Sequence, residues 1–265
     1  MSVYWAIARR SFRRYSTYRI ATASGVFTNT IFGFIFCGVF LTLWSAEPGL
    51  GGYQAADALT FVWIQQGLLM PIGLFGAATT SELGERVRSG AVAVDLYRPV
   101  SLIGWWLSAD LGRAGFQLIA RGGVPLLVGT LAFDLRFPSG AAQWIAVAAA
   151  LLLALLVSFG IRYLVALTGF WIVDARGVEY AAIVLSLFFS GMILPLVVFP
   201  GALGEVARAT PWAATLQVPA DVWLGRTAHG AGLALAFQLA WMAALLTAGA
   251  LLTRLATRKV VIQGG

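Results

Sequence analysis

Long apolar runs alternate along this chain with short polar segments that carry most of its charge. Six runs stand out: Ile20–Trp44, Ala58–Thr79, one within Leu102–Phe133, Ala141–Val173, Tyr180–Phe199 and Ala231–Leu252. A helix crosses the hydrocarbon core of a bilayer in about 20 residues, so the pattern predicts six transmembrane helices. The expected fold is an all-α integral membrane protein, with residues 1–265 forming a single transmembrane domain. The first run is longer than the apolar stretch of a secretion signal, and no small-residue cleavage site comes after it near Trp44–Pro48. It is expected to stay in place as an uncleaved helix.

Ahead of that run, within residues 1–19, Tyr4, Trp5, Ile7, Ala8 and Phe12 are interleaved with Arg9, Arg10, Arg13 and Arg14. Helical spacing makes this an amphipathic helix along the membrane surface, aromatic face toward lipid and arginines toward the headgroups. Plain charge anchoring is the simpler reading of the same residues. In the third run Asp110 and Arg113 are neighbours on one helical face, and Arg121 lies two turns on. The helix is expected to enter slowly from the interface, with Arg113 and Arg121 snorkelling. The fourth run exceeds one bilayer thickness, so the part bearing Arg162 is expected to project beyond the core. A basket for an anionic substrate or lipid is the functional alternative for these arginines. Residues 200–230 are punctuated: Pro195 and Pro200 end the fifth helix, Pro211 and Pro219 break the stretch beyond it, and Trp212 and Trp223 suit an interface. Short re-entrant or surface helices are expected at Leu203–Ala209 and Ala220–Leu224.

Charge sets the orientation. Loops rich in Lys and Arg stay on the cytoplasmic side. That rule places Arg9–Arg19 inside, the loop with Glu47 and Asp57 outside, and Ser81–Val100 with Arg86, Arg88 and Arg98 inside. The loop at Asp134 and Arg136 falls outside, the brief loop at Asp174 and Arg176 inside, residues 200–230 outside, and the tail with Arg254, Arg258 and Lys259 inside. Both termini are thus expected to be cytoplasmic.

Composition agrees with the pattern. The chain is 60% hydrophobic and 11% charged, where a soluble domain carries about a quarter charged residues. The net charge of +7 sits at the ends of apolar runs, which fits anionic headgroups rather than nucleic acid. One cysteine, Cys37, and one histidine, His229, leave no basis for a disulfide within the chain or a metal cluster. Lys259 is the only lysine, and no glycine-rich turn precedes it, so a phosphate-binding loop is excluded. No protease or group-transfer cluster is present. An ion-coupled carrier should bear charge at mid-span, and the first, second, fifth and sixth runs have none. Their polar residues include Asn29, Gln65, Gln66, Ser186 and Ser190. Such residues more often bond between helices than line a pathway, although both roles are open.

The segment ELGERVRSG (Glu82–Gly90) followed by DLYRP (Asp95–Pro99) resembles a block between the second and third helices of the ABC-2-type permeases. These are the membrane subunits of bacterial ABC exporters. The arginine-rich N-terminus, the proline-punctuated segment before the last helix and the tail VVIQGG (Val260–Gly265) are similar to that family as well. The resemblance implies a non-catalytic exporter permease in the bacterial inner (plasma) membrane. It would bind no cofactor itself and would partner a separate ATP-binding subunit, which holds ATP and magnesium, and a second permease of the same or a related kind. Residues 81–100 would be the coupling region. Glu82, Glu85, Arg86 and Arg88 would form its charged docking face, Gly90 its turn, and Asp95, Arg98 and Pro99 the entry to the third helix. An amphiphilic or hydrophobic cargo, lipid-like or drug-like, is expected. A stand-alone carrier driven by an ion gradient is the alternative. Interfaces between membrane helices favour small residues, which makes Gly25, Gly33, Gly38, Gly67, Gly73 and Gly76 candidates for subunit contact.

Overall fold

A computed structural model describes residues 2–73, 78–172 and 175–263, and the regular elements among them are all helical. Over these residues twelve α-helices run in order: α1 Val3–Ser16, α2 Arg19–Ala46, α3 Ala55–Leu68, α4 Ala78–Arg88, α5 Val92–Leu96, α6 Leu102–Gln117, α7 Gly123–Ala132, α8 Ala141–Leu167, α9 Arg176–Phe189, α10 Gly201–Ala209, α11 Gln217–Leu224 and α12 Ala231–Gln263. A π-helical turn, Leu118–Gly122, joins α6 to α7. Four stretches of the described residues are long and apolar enough to cross a membrane: Arg19–Ala46, Leu102–Ala132, Ala141–Phe170 and Ala231–Thr257.

The second and fifth apolar runs fold differently from the unbroken helices expected of them. Helices α3 and α9 have 14 residues each, about 21 Å of rise against a core of about 30 Å. Both stop at glycine–proline punctuation. Pro71 lacks the N–H a continuing helix needs, and Gly73 turns the chain in the left-handed region at φ 64°. After α9, Gly191 at φ 90° and Pro195 do the same. The start of α3 meets Arg136 and Arg226, whereas α4 lies beside α1, α5, α6 and the end of α8 at the arginine-loop end.

Helix α3 is the hub. All twelve residues from Asp57 to Leu68 are buried, which is why the run is apolar on every side. Around it stand α2, α7, α11 and the π turn. Its Trp63 indole fills a notch between Gly33 of α2 and Gly129 of α7, where a Cβ would come within 2.8 and 2.3 Å of the ring. Gly67 meets Gly122 of the π turn backbone to backbone, a Cβ on the latter reaching 2.9 Å from the Gly67 carbonyl. Gly25, Gly33 and Gly67 are therefore spent inside the chain. Gly38 faces open space, Gly73 serves the turn, and Gly76 lies outside the described residues.

Helix α1 does not present its whole apolar face to lipid. Ile7 and Ser11 are buried, Phe12 packs edge-on against Phe116 at 5.6 Å, and the backbone of Ala8 presses on Gly112 of α6. Trp5 stays exposed, as do Arg9, Arg10 and Arg13.

The opposite end of the bundle is locked by polar side chains. Asp57, fully buried, receives Arg136 at 3.1 Å and Arg226 at 2.9 Å. The Tyr53 hydroxyl donates to the Asp221 carboxylate, and Gln217 donates to both groups, at 3.0 and 2.9 Å. Short helices thus form as α10 and α11, the second of them pinned to the start of α3.

Stability should respond to changes at two places. A Cβ on Gly112 would sit 2.0 Å from the Ala8 carbonyl oxygen, whereas one on Gly123 meets nothing within 4 Å. Gly112→Ala should lower stability by about 1–3 kcal/mol through overpacking, and Gly123→Ala should be neutral or stabilising, as read by thermal unfolding in detergent. Burial pushes the Asp221 carboxyl up to about 6 from 3.8, despite hydrogen bonds from Tyr53 and Gln217 that lower it. The folded chain thus holds that proton more tightly than the unfolded chain. Stability from this group is full below the ordinary value and is lost as the pH rises through the raised one, by at most about 1.4 kcal/mol per pH unit. Asp221→Asn cannot titrate. Its melting temperature relative to the unmodified chain should rise between about pH 4 and about pH 7, and a constant difference would refute the assignment.

Candidate functional site

The arginine-bearing segment folds as a helical hairpin, α4 and α5. Helix α4 stops where Gly90 adopts φ 76°, the left-handed cap that glycine supplies without strain. The underside is apolar: Leu83, Val87 and Val92 are buried against Leu102, Trp106, Phe159 and Tyr163. Ser101 then starts α6, its hydroxyl accepting from the Gly104 amide at 3.2 Å, two residues after exposed Pro99.

Asp95 organises the hairpin. Its side chain is 1% exposed and takes Arg86 from α4 at 2.5 and 2.7 Å and Arg98 at 3.1 Å. Arg86 also donates to the Ala91 carbonyl at 3.3 Å, and Arg98 lies 4.1 Å over the Trp105 ring. The hydrogen bond to Asp95 raises the pKa of Arg86 still further, so Arg86 remains charged. The segment thus divides into two functions. Arg86, Asp95 and Arg98 hold the hairpin shut. Glu85 and Arg88, paired with each other, remain about half exposed and face outward. Glu82 turns back to Arg14 of α1 at 3.1 Å, and its hydrogen bond raises the pKa of that arginine. A groove of about 570 Å³ separates α1 from the hairpin, lined by Arg10, Arg14, Glu82, Arg86, Asp95 and Arg98.

Behind the hairpin lies a buried charge cluster that corrects two expectations. Arg113 does not snorkel. Its side chain is 4% exposed, pairs with Asp110 at 2.8 Å and donates to the carbonyls of Met70 and Pro71, both at 2.8 Å. Arg162 is likewise turned inward rather than out to solvent. At 12% exposure it meets the other Asp110 oxygen at 2.7 Å and reaches Thr80 and Ser158, both at 3.3 Å. Ser158 donates to the Ile72 carbonyl. Arg121 leans on α2, donating to the Ala21 carbonyl in the space a Gly25 side chain would take.

The buried amides are tethers. Asn29 donates to the Gln66 carbonyl at 3.2 Å, joining α2 to α3. Gln65 donates to the Met192 carbonyl in the turn after α9. Gln66 is buried beside it, and Ser190, also buried, accepts from the Gln217 amide at 3.1 Å through its carbonyl. Ser186 lines a cavity between α8 and α9. Asp110 and Gln217 carry more of the architecture than the sequence suggested. The i,i+3 pair Asp110–Arg113 inside an apolar run was the signal for the first, and no local pattern marks the second. Among the described residues no group of three His, Cys, Asp or Glu is placed to hold a metal ion.

Removing the carboxylate at the centre of the clamp should free the hairpin. Asp95→Asn leaves two half-buried guanidiniums without a counter-charge. Trypsin should then cut at Arg86 or Arg88 at least about tenfold faster than in the unmodified protein, as expected for roughly 1.4 kcal/mol less protection against local opening. Equal digestion rates would remove Asp95 from this role.

The family model described as ABC-2 family transporter protein matches residues 26–264. No curated protein and no solved structure matches the chain. The match takes in α2 from Val26 onward, the later long apolar helices and the whole α4–α5 hairpin. The chain belongs to the ABC-2 transporter family, as a multi-pass membrane component of an ABC transport system.

Proposed function

We propose that this chain is the permease subunit of an ATP-driven exporter in a bacterial plasma membrane. It forms the path for an amphiphilic or hydrophobic substrate, while a separate subunit binds ATP and magnesium and hydrolyses the nucleotide. A second permease, the same chain or a related one, completes the transporter. The arginine-loop end is cytoplasmic, because Arg9–Arg19, the α4–α5 hairpin and the end of α12 concentrate positive charge there. Helices α3 and α9, each with the turns after it, complete six crossings and put both termini on that side.

The observation that carries this reading is the hairpin itself. A five-residue helix and a short amphipathic one would be mobile in isolation. Here the Asp95 clamp and the Leu83–Val87–Val92 face fix them to α6 and α8. A force applied at Glu85 and Arg88 then passes to the long helices instead of dissipating in a loop. Glu82–Arg14 carries the same displacement to α1. Closure of the ATP-binding subunits pushes the hairpin, and the two permeases rearrange about their common interface.

The exposed pair is the place to test it. Arg86 is part of the clamp, so changing it would alter both fold and surface. Glu85→Lys with Arg88→Glu reverses the outward charges while keeping their mutual pairing. Co-purification of the partner ATP-binding subunit should fall at least about tenfold, as for a loss of roughly 1.4 kcal/mol or more of association energy, with membrane insertion unchanged. Normal complex yield would sink the docking assignment.

A further inference from the structure

The groove between α1 and the α4–α5 hairpin has a wall that the coupling scheme leaves unused. Val3, Ala6, Ile7, Arg10, Ser11 and Arg14 line it from α1. Their spacing in steps of three and four puts them on one face of that helix. The face changes character along its length. Its first turns are apolar, and the turns after them carry Arg10, Ser11 and Arg14. Arg10 and Arg14 are i,i+4 neighbours, and Ser11 stands one turn before Arg14, so the three polar side chains form one compact group.

Hydrogen-bonding capacity decides what fits. Both carboxylates of the groove are engaged, Asp95 by Arg86 and Arg98, and Glu82 by Arg14. Among the described residues, Arg10 has no ion pair and no side-chain hydrogen bond. The Ser11 hydroxyl has no partner there either, although Ser11 is only 8% exposed. Arg14 commits one nitrogen to Glu82 and leaves the others open. The free groups on this wall are therefore donors. Four guanidiniums line the groove against two carboxylates, so its charge is positive as well. An oxyanion answers both conditions, since its oxygens accept hydrogen bonds and carry negative charge.

The apolar turns ask for more than a free anion. Beside Val3, Ala6 and Ile7, Trp5 is 57% exposed and Tyr4 is exposed too, and such aromatic side chains sit at headgroup level. Glu85 and Arg88 do not line the groove, which separates it from the docking face proposed for the ATP-binding subunit.

We infer that this groove binds the headgroup of an anionic phospholipid. The phosphate sits on Arg10, Ser11 and the open side of Arg14, and the acyl chains leave over Ile7, Ala6 and Val3. A zwitterionic lipid brings the same phosphate but adds an ammonium, for which Glu82 and Asp95, already paired, leave no place. Placing the lipid in the cytoplasmic leaflet, where anionic lipids attract basic segments, rests on the orientation proposed above. The site itself does not, because it is built from side chains of this chain alone.

The test uses the full chain, purified in a neutral maltoside detergent. The probes are a fluorescently labelled phosphatidylglycerol and a phosphatidylcholine carrying the same label. Phosphatidylglycerol should bind saturably at one per chain and at least about tenfold more tightly than phosphatidylcholine. Arg10→Gln should weaken that binding at least about fivefold, with thermal unfolding unchanged because Arg10 is exposed and unpaired. Arg9→Gln removes the same charge from an exposed position of α1 outside the groove and should change binding less than about twofold. Equal affinity for the two lipids would overturn the inference. Equal losses from Arg10→Gln and Arg9→Gln would do so too, by reducing the effect to diffuse surface charge. Displacement by inorganic phosphate at matching concentration would assign the groove to a free anion instead. Loss of ATP-binding-subunit association in Arg10→Gln with lipid binding intact would give it to the partner. Because lipid binding is read on the chain alone, its failure leaves the docking role of Glu85 and Arg88 standing, and failure of that role leaves this site standing.

Discussion

A broken helix inside a membrane must find partners for its own backbone. Lipid offers no hydrogen bonds, so each open carbonyl at the break would cost several kcal/mol if left alone. Helix α3 ends at Leu68, well inside the bundle, and the chain answers with charge. Arg113 binds the carbonyls of Met70 and Pro71, and Ser158 binds that of Ile72. A guanidinium at that depth needs a counter-ion in turn, which Asp110 supplies one turn away on the same helix. Asp110 then draws in Arg162 from α8. One backbone break thus accounts for three ionised side chains and ties α3, α6 and α8 to a single point.

The break after α9 is closed mostly by amides, with Arg208 reaching the Leu196 carbonyl at 3.4 Å. It lies toward the other end, and glutamines close it. Gln65 of α3 binds the Met192 carbonyl, while Gln217 accepts from the Leu196 amide at 2.7 Å and donates from its backbone to Ser190. An amide both donates and accepts, so it can satisfy a turn that presents carbonyls and N–H groups together. Guanidiniums only donate, which suits the first break, where the open groups are carbonyls. The choice of side chain at each site reflects the groups that the broken backbone offers.

The sequence displayed the apolar runs, the charged hairpin and the punctuated segment before α12 because each leaves a local mark in hydropathy, charge or proline spacing. It did not display that α3 stops at Leu68. A 22-residue run with no charge, Ala58–Thr79, reads as one span unless Pro71 and Gly73 are weighed against the apolar count. Nor did it show the destination of Arg113 and Arg162. The snorkelling rule assumes that an intramembrane arginine seeks water, and here carbonyls 42 and 43 residues away are nearer. The division of the hairpin into clamp and outward pair was equally hidden. Glu85, Arg86 and Arg88 look alike as sequence, and only the packing of α4 over buried Asp95 separates them.

These constraints also distribute stiffness. Helix α3 is enclosed on all sides, whereas α9 has no buried residue, although the two have the same length. Pushing on the α4–α5 hairpin moves a unit already joined to α6 and α8 by apolar contacts. Helix α9 touches that unit chiefly along α8, across the cavity lined by Arg162. The least costly relative motion is then between α8 and α9, since it breaks neither the α3 seal nor the Asp95 clamp.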